Sequence, residues 1–174
     1  MITIFDASLS DVPSLAELQA GAAFNRWISS PPPVAELRTE IKGKLVDMAA
    51  GRGRYIVARW AGKPAGYGAA YLTRCQRRAH VEVGVDPDHF RKGIGTAIVD
   101  ALIAYKRTVS LERLEAVVDV RNKACLTLLR LRGFREVETA PRPVSLRWCK
   151  TPETRSRPAR MVPGAAWLDF SPNS

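Results

Sequence analysis

Apolar positions along this chain alternate between a two-residue period and a three-to-four-residue period, which divides the first 150 residues into strands and helices. Residues 2–5 read as a short strand. Ser10 and Asp11 stand where they can cap a helix beginning near Val12, with Pro13 in its first turn and Leu15, Leu18 and Ala22 along one side. The run Ser29-Ser30-Pro31-Pro32-Pro33 predicts a loop, because successive prolines cannot occupy a helix interior. A second helix is expected over 34–50, where Leu37, Ile41, Leu45 and Met48 share a face. Residues 55–60 and 65–72 read as a hairpin joined by Ala61-Gly62-Lys63-Pro64. Residues 80–85 form a third strand, with Val81, Val83 and Val85 on one side and His80, Glu82 and Gly84 on the other. Ile94, Ile98, Ala101, Leu102 and Tyr105 then mark a helix starting near Gly93 and ending in Lys106 and Arg107. A strand over 114–120 follows. Next comes a helix that Asn122 can cap and Gly133 can end, then strands over 134–138 and 144–149. The pattern predicts an α/β (α+β) fold: a mixed, mostly antiparallel sheet of six to seven strands flanked by helices.

Composition narrows the class. A chain of 174 residues fits one domain, here expected over 1–150 with a basic Pro/Arg-rich tail over 151–174. That tail shows no periodicity, and Trp167, Leu168 and Phe170 form its one apolar cluster. No run approaches the ~20 apolar residues of a membrane span, and the opening MITIFDASLSDVPSL lacks the form of a secretory signal. Cys75, Cys125 and Cys149 have neither disulfide-framework nor zinc spacing, so a reducing cytoplasm and no metal are expected. The net charge of +10 invites a nucleic-acid reading. However, from Pro141 onward six Lys or Arg face two acids, so +4 of the excess lies at one end. No basic-aromatic module accompanies it, which leaves nucleic acid the weaker reading.

The chemistry lies in the run from Val83 to Ala97, VGVDPDHFRKGIGTA. A strand passes through a short loop into a helix whose first turn holds two glycines. Unpaired N–H groups at a helix start attract anions, and glycines let a phosphate approach the backbone. Arg91 and Lys92 add positive charge there, so the segment reads as a pyrophosphate cradle. It is neither a dinucleotide fingerprint, since Ile98 stands where a small residue is needed, nor a Walker loop, which needs Gly-Lys-Ser/Thr.

The segment resembles the signature of the GNAT superfamily of N-acetyltransferases, Gln/Arg-x-x-Gly-x-Gly/Ala. Gly93 and Gly95 fill the small positions, while Phe90 departs from the leading Gln/Arg. The run from Asn122 to Phe134 resembles the family's Asn-x-x-Ala/Ser…Gly-Phe ending, with Cys125 at the Ala/Ser position. The N-terminal segment with Ala7 and Asp11 is similar too, so the resemblance covers roughly 1–150. It implies a splayed central strand pair that admits the pantetheine arm of acetyl-CoA. It further implies that Val83, Gly84 and Val85 meet that arm and the acetyl carbonyl. Arg91, Lys92, Gly93, Ile94, Gly95 and Thr96 would hold the pyrophosphate, and Asn122 would touch the arm.

The implied reaction is attack of a primary amine on a thioester. A lysine amine titrates near ~10.4 and an α-amine near ~8, so a base helps. Glu82 is the first candidate and His80 the second. Leu129 stands where many members carry a proton-donating tyrosine, and Cys125 reads as a packing residue rather than a nucleophile. Two other readings compete: a non-catalytic acyl-CoA-binding regulatory module and a basic nucleic-acid-associated protein. The acceptor, a small-molecule or peptide amine, is not legible. The resemblance implies acceptor loops over 24–33 and 138–144, where Trp27 reads as a core or loop anchor before a pocket residue, and a homodimer is compatible with the sequence.

Overall fold

The computed structural model describes residues 1–21 and 32–137 in full and the backbone of 145–150. The acceptor loops, including Trp27, and the tail after 150 lie outside the described residues, apart from Pro32 and Pro33. The order is β1 (Ile2–Asp6), α1 (Val12–Ala20), α2 (Val34–Ala49), β2 (Gly53–Trp60), β3 (Lys63–Leu72), β4 (Arg78–Val85), α3 (Ile94–Thr108), β5 (Arg113–Asp119), α4 (Lys123–Leu131), β6 (Arg135–Val137) and β7 (Ser145–Lys150). Single 3-10 turns, Leu9–Asp11 and Pro87–His89, precede α1 and α3; neither has a periodic signature of its own.

The strands form one seven-stranded sheet in the order β1-β2-β3-β4-β5-β7-β6. Every neighbouring pair is antiparallel except β4 and β5. That parallel pair is registered only from Arg78↔Arg113 to His80↔Glu115. Beyond His80, β4 stays paired to β3 as far as Val85, and β5 stays paired to β7 as far as Asp119. The two central strands therefore part in mid-sheet.

Residue alternation in the strands separates two cores. Tyr55, Val57 and Ala69 pack with Leu15, Ala16, Leu37, Ile41 and Leu45 of α1 and α2. On the other face Ile56, Ala58 and Ala70 pack with Ile94, Ile98 and Leu102 of α3 and with Leu126 and Leu129 of α4. Val81, Val83 and Val85 join this second core, so His80 and Glu82 emerge on the α1/α2 face.

Two local features differ from the sequence pattern. The β2–β3 turn is only Ala61 and Gly62, at φ 49° and 84°, while Lys63 and Pro64 already pair with Trp60 and Arg59. Positive φ at both central residues matches the right-handed twist of a hairpin, and a register irregularity at Ala58/Arg59 accommodates the proline. Asp11, expected to cap α1 with its side chain, turns its carboxylate backward instead. Its Oδ2 accepts from the Ser8 backbone N–H at 2.9 Å and the Ser8 hydroxyl at 2.8 Å, and Oδ1 accepts from the Arg59 guanidinium. A buried carboxylate needs these donors more than a helix end needs a cap.

Candidate functional site

The end of β4 and the start of α3 are fixed by local chemistry. Asp86 accepts at one oxygen from the Asp88 backbone N–H at 3.2 Å, and its other oxygen lies 2.9 Å from His89 Nδ1, which closes the Pro87–His89 turn. His89 packs on Trp60 with ring centroids 6.4 Å apart. Lys92 Nζ lies 5.5 Å from the centre of the same indole and donates to the Asp88 carbonyl at 3.0 Å. Trp60 thus anchors the loop, a role its place in β2 does not advertise.

Two residues of this loop are left-handed, Arg91 at φ 63° and Gly93 at φ 84°. The first helical bond of α3 runs from the Ala97 N–H to the Gly93 carbonyl at 3.0 Å. The N–H groups of Ile94, Gly95 and Thr96 therefore precede the helical ladder and point out of its N-terminus. Together with the left-handed residues before them they form a concave array of donors suited to an anion. A Cβ on Gly95 would stand 3.0 Å from Leu128 Cδ2 and 3.5 Å from Val85 Cγ2, so a side chain there would crowd the junction of α3, α4 and β4.

Val83, Gly84 and Val85 lie in β4 beyond the last registered pair with β5. Asn122, on the far side of the gap, caps α4: its Oδ1 accepts from the Cys125 N–H at 3.1 Å, leaving the amide NH₂ as a donor. On the β4 side of the parting, Val83 to Val85 lead into the donor array at 91–96, and on the other side Asn122 follows the end of β5. Phe90, at the signature's departed position, is exposed.

Glu82 and His80 rise from β4 on the α1/α2 face but meet different partners. Glu82 Oε2 accepts from the Tyr71 hydroxyl at 2.9 Å and lies 3.2 Å from Lys44 Nζ. Lys44 reaches over from α2, where Glu40 Oε1 holds it at 2.6 Å, and its Nζ lies 5.3 Å and 5.8 Å from the ring centres of Tyr71 and Tyr55. Burial of the ammonium works against its charge, yet the Glu82 and Glu40 carboxylates more than offset this, so Lys44 titrates above its ordinary value. Burial, reinforced by Glu82, pushes the phenols of Tyr67 and Tyr71 far above theirs, and Tyr71 stays a donor at neutral pH. Tyr55 moves the same way through burial, with its hydroxyl 2.6 Å from Gln19 Nε2. His80 Nδ1 lies 4.0 Å from Oε2 of the buried Glu115, which Arg113 and Arg78 approach at 3.6 Å and 4.0 Å.

The sequence does not single out Lys44, Tyr71 or Glu115. Glu40 and Lys44 read as an ordinary i,i+4 surface pair. The convergence on Glu82 depends on strand order, which places Tyr71 opposite His80 and one pleat from Glu82. Leu129 is buried among apolar neighbours and offers no proton. Burial pushes the Cys125 thiol up to about 11, so it packs rather than reacts. Two open concavities lie outside the strand gap, one of about 450 Å³ beside Arg107 and Leu131 and one of about 730 Å³ beside β1. Among the described residues no three His, Cys, Asp or Glu converge as metal ligands, and no helix is long and apolar enough to cross a membrane.

Residues 13–134 match the family model described as Acetyltransferase (GNAT) family. An uncharacterized N-acetyltransferase of Methanocaldococcus jannaschii is 31% identical over 90 residues, 48% of this chain and 40% of that protein. A mycothiol acetyltransferase of Parafrankia is 46% identical over 57 residues, 33% of this chain and 17% of that protein. The matches thus span well under two thirds of these relatives. The fold is similar to an N-acetyltransferase from Staphylococcus aureus Mu50, with a TM-score of 0.74, 17% identity and 87% of this chain and 98% of that one covered. It is similar also to a Salmonella typhimurium acetyltransferase described with its cofactor acetyl-CoA, with a TM-score of 0.73, 18% identity and 92% and 99% covered.

Proposed function

The chain belongs to the acetyltransferase (GNAT) family, matched over residues 13–134, and from that premise we propose that it transfers an acetyl group from acetyl-CoA to a primary amine by direct attack. The observation that carries this reading is the loss of β4–β5 pairing after His80, with the donor array of α3 at the mouth of the gap. Bound acetyl-CoA supplies an activated acyl thioester. Backbone groups of Val83, Gly84 and Val85 hold its arm, the N–H groups from Arg91 to Thr96 hold its pyrophosphate, and Asn122 donates to the arm from across the gap. Glu82 removes a proton from the incoming amine; His80, on the same face, is the second candidate for that task. With Leu129 on α4 in place of a phenol, water or the amine's own proton serves the departing thiolate, whose ordinary pKa of ~8.5 makes this tolerable. The catalytic domain is 1–150, followed by a basic Pro/Arg-rich tail over 151–174, and the acceptor is a small-molecule or peptide amine of the cytoplasm.

Thermal melts with acetyl-CoA and with ATP test the cofactor. A ligand at 100 times its Kd stabilises one site by ~2.7 kcal/mol, roughly 5–11 °C for a domain of this size. Thiol release with a panel of primary amines then tests transfer. No shift at millimolar acetyl-CoA sinks the reading. A shift with no turnover favours the non-catalytic acyl-CoA module, the reading to which the apolar Leu129 lends weight.

A further inference from the structure

Glu82 is held asymmetrically. Both of its donors, the Tyr71 hydroxyl at 2.9 Å and the Lys44 ammonium at 3.2 Å, converge on Oε2. Among the described residues none donates a hydrogen bond to Oε1, and the Glu82 side chain is 46% exposed. Lys44 is the opposite case, with 13% of its side chain exposed, anchored by Glu40 and facing two tyrosine rings. Immobilising a lysine this far from water loses side-chain entropy and hydration. A surface pair with Glu40 alone would not require it, since such pairs contribute little. Among the described residues the ionisable groups facing Glu82 are Lys44 and Glu40 from α2, Tyr55 from β2, Tyr67 and Tyr71 from β3, and His80 beside it on β4. Glu115, Arg78 and Arg113 stand beyond His80. Among the described residues Lys44 is the cation that contacts the carboxylate directly.

We propose that Lys44 and Tyr71 are positioning residues that clamp Glu82 through Oε2, fixing its orientation and leaving Oε1 to take the proton of the acceptor amine. The inference rests on Glu82 being the base proposed above. The proton passes from the amine nitrogen to Oε1, the nitrogen pair becomes available for attack, and Lys44 and Tyr71 keep their own protons. The raised titration of both donors fits that role.

The test is a ¹³C NMR titration of the full chain labelled at glutamate carboxyls, with the Glu82 signal assigned by its loss in Glu82→Gln. An adjacent opposite charge moves a carboxyl by about 1–3 pH units, and partial exposure favours the lower end. Removing the Lys44 cation should therefore move the Glu82 midpoint upward in Lys44→Met and less so in Tyr71→Phe, while Lys44→Arg keeps the wild-type midpoint. Should Lys44→Met not fold, the milder Tyr71→Phe decides. An unmoved midpoint overturns the clamp. Alongside, kcat is measured with the primary amine giving the fastest thiol release in the screen. Glu82→Gln should lower it by about 10²–10⁴, and Lys44→Met should shift the acid limb of kcat/KM upward without changing KM for acetyl-CoA. Unchanged kcat in Glu82→Gln with a moved midpoint removes the base premise, and with it the inference. Lost kcat in Glu82→Gln with an unmoved midpoint overturns the clamp alone.

Discussion

Helix α3 lies so close to the sheet that Gly68→Ala should destabilise the protein through one methyl group. A Cβ on Gly68 would sit 2.4 Å from Ile98 Cγ2, with Ile56 side-chain atoms at 3.2 and 3.3 Å. Carbon atoms prefer separations of about 3.5–4.0 Å, so Ile98 must retreat by more than an ångström. Ile98 is fully buried, and its Cγ2 is a branch at Cβ rather than the end of a flexible chain. Overpacking of this kind costs about 1–3 kcal/mol. Replacing glycine by alanine at an ordinary φ returns about 0.4–1 kcal/mol through the unfolded chain. The clash wins, and a net loss of about 1–2 kcal/mol is expected, a fall in Tm of roughly 2–8 °C. Gly43→Ala is the control: it lies inside α2 with nothing within 4 Å of its Cβ, so it should raise stability by about 0.5–1 kcal/mol.

Denaturant unfolding of a double-mutant cycle isolates the contact. Ile98→Ala alone opens a cavity at a cost of about 2–5 kcal/mol. Combined with Gly68→Ala, the new methyl enters that space, so the double variant should be more stable than the sum of the two by at least about 1 kcal/mol. Ile98→Val keeps Cγ2 and should give no such relief. Additivity within about 0.5 kcal/mol in the Ile98→Ala cycle would refute the contact. Ile94 and Ile98 belong to the first turns of α3, so the displaced helix also carries the donor array with it. Weaker acetyl-CoA stabilisation in melts of Gly68→Ala is the functional counterpart.

Three other outcomes are expected. Gly93→Ala forces a side chain to adopt φ 84°, at a cost of about 1–2 kcal/mol, and should weaken acetyl-CoA binding measured by calorimetry. Asp11→Ala removes the acceptor shared by Ser8 and Arg59 and should cost about 1.5–3 kcal/mol in denaturant unfolding. Of the two described thiols, Cys75 should be alkylated far faster than Cys125 when followed by mass spectrometry at pH 7.5. Hydrogen bonds from Thr73 and the Arg77 backbone lower Cys75, whereas burial raises Cys125 to about 11. The thiolate is the reactive form, so Cys125 has about a hundredfold less of it than an ordinary thiol, and raising the pH toward 11 should narrow the difference.

The parts of this fold legible in the sequence are those that local periodicity dictates. The valines of β4 and the isoleucines of α3 announce their elements because each must bury one face whatever its neighbours are. The glycine-bearing start of α3 is legible because a backbone needing positive φ at Gly93 leaves glycine in the sequence. Where two long-range demands compete, local signals mislead. Asp11 resembles a cap but is claimed by Arg59 from 48 residues away. Lys63 and Pro64 resemble turn residues but are drawn into β3 because Ala61 and Gly62 close the hairpin alone. Lys44 is 38 residues from Glu82, and no local pattern joins them.

Strand β4 shows why one part of the site is legible and the other is not. Its odd positions, Val81, Val83 and Val85, pack toward α3, while His80 and Glu82 face α1 and α2. A slip of one residue would exchange the two sets, placing a carboxylate in an apolar core and the valines beside Lys44. The register is held by seven pairs with β3, at the end of which Gly66 opposes Val85; a Cβ on Gly66 would stand 2.7 Å from the Gly84 carbonyl. The same alternation therefore places the His80 and Glu82 face of β4 against α2 and its packing face beneath the helix that bears the donor array. A substitution that tightens or loosens α3 should alter cofactor binding while leaving the Glu82 midpoint in place, and a substitution at Lys44 should do the reverse. If each perturbation moves both readouts, the two faces do not act independently and the division of tasks across β4 is wrong.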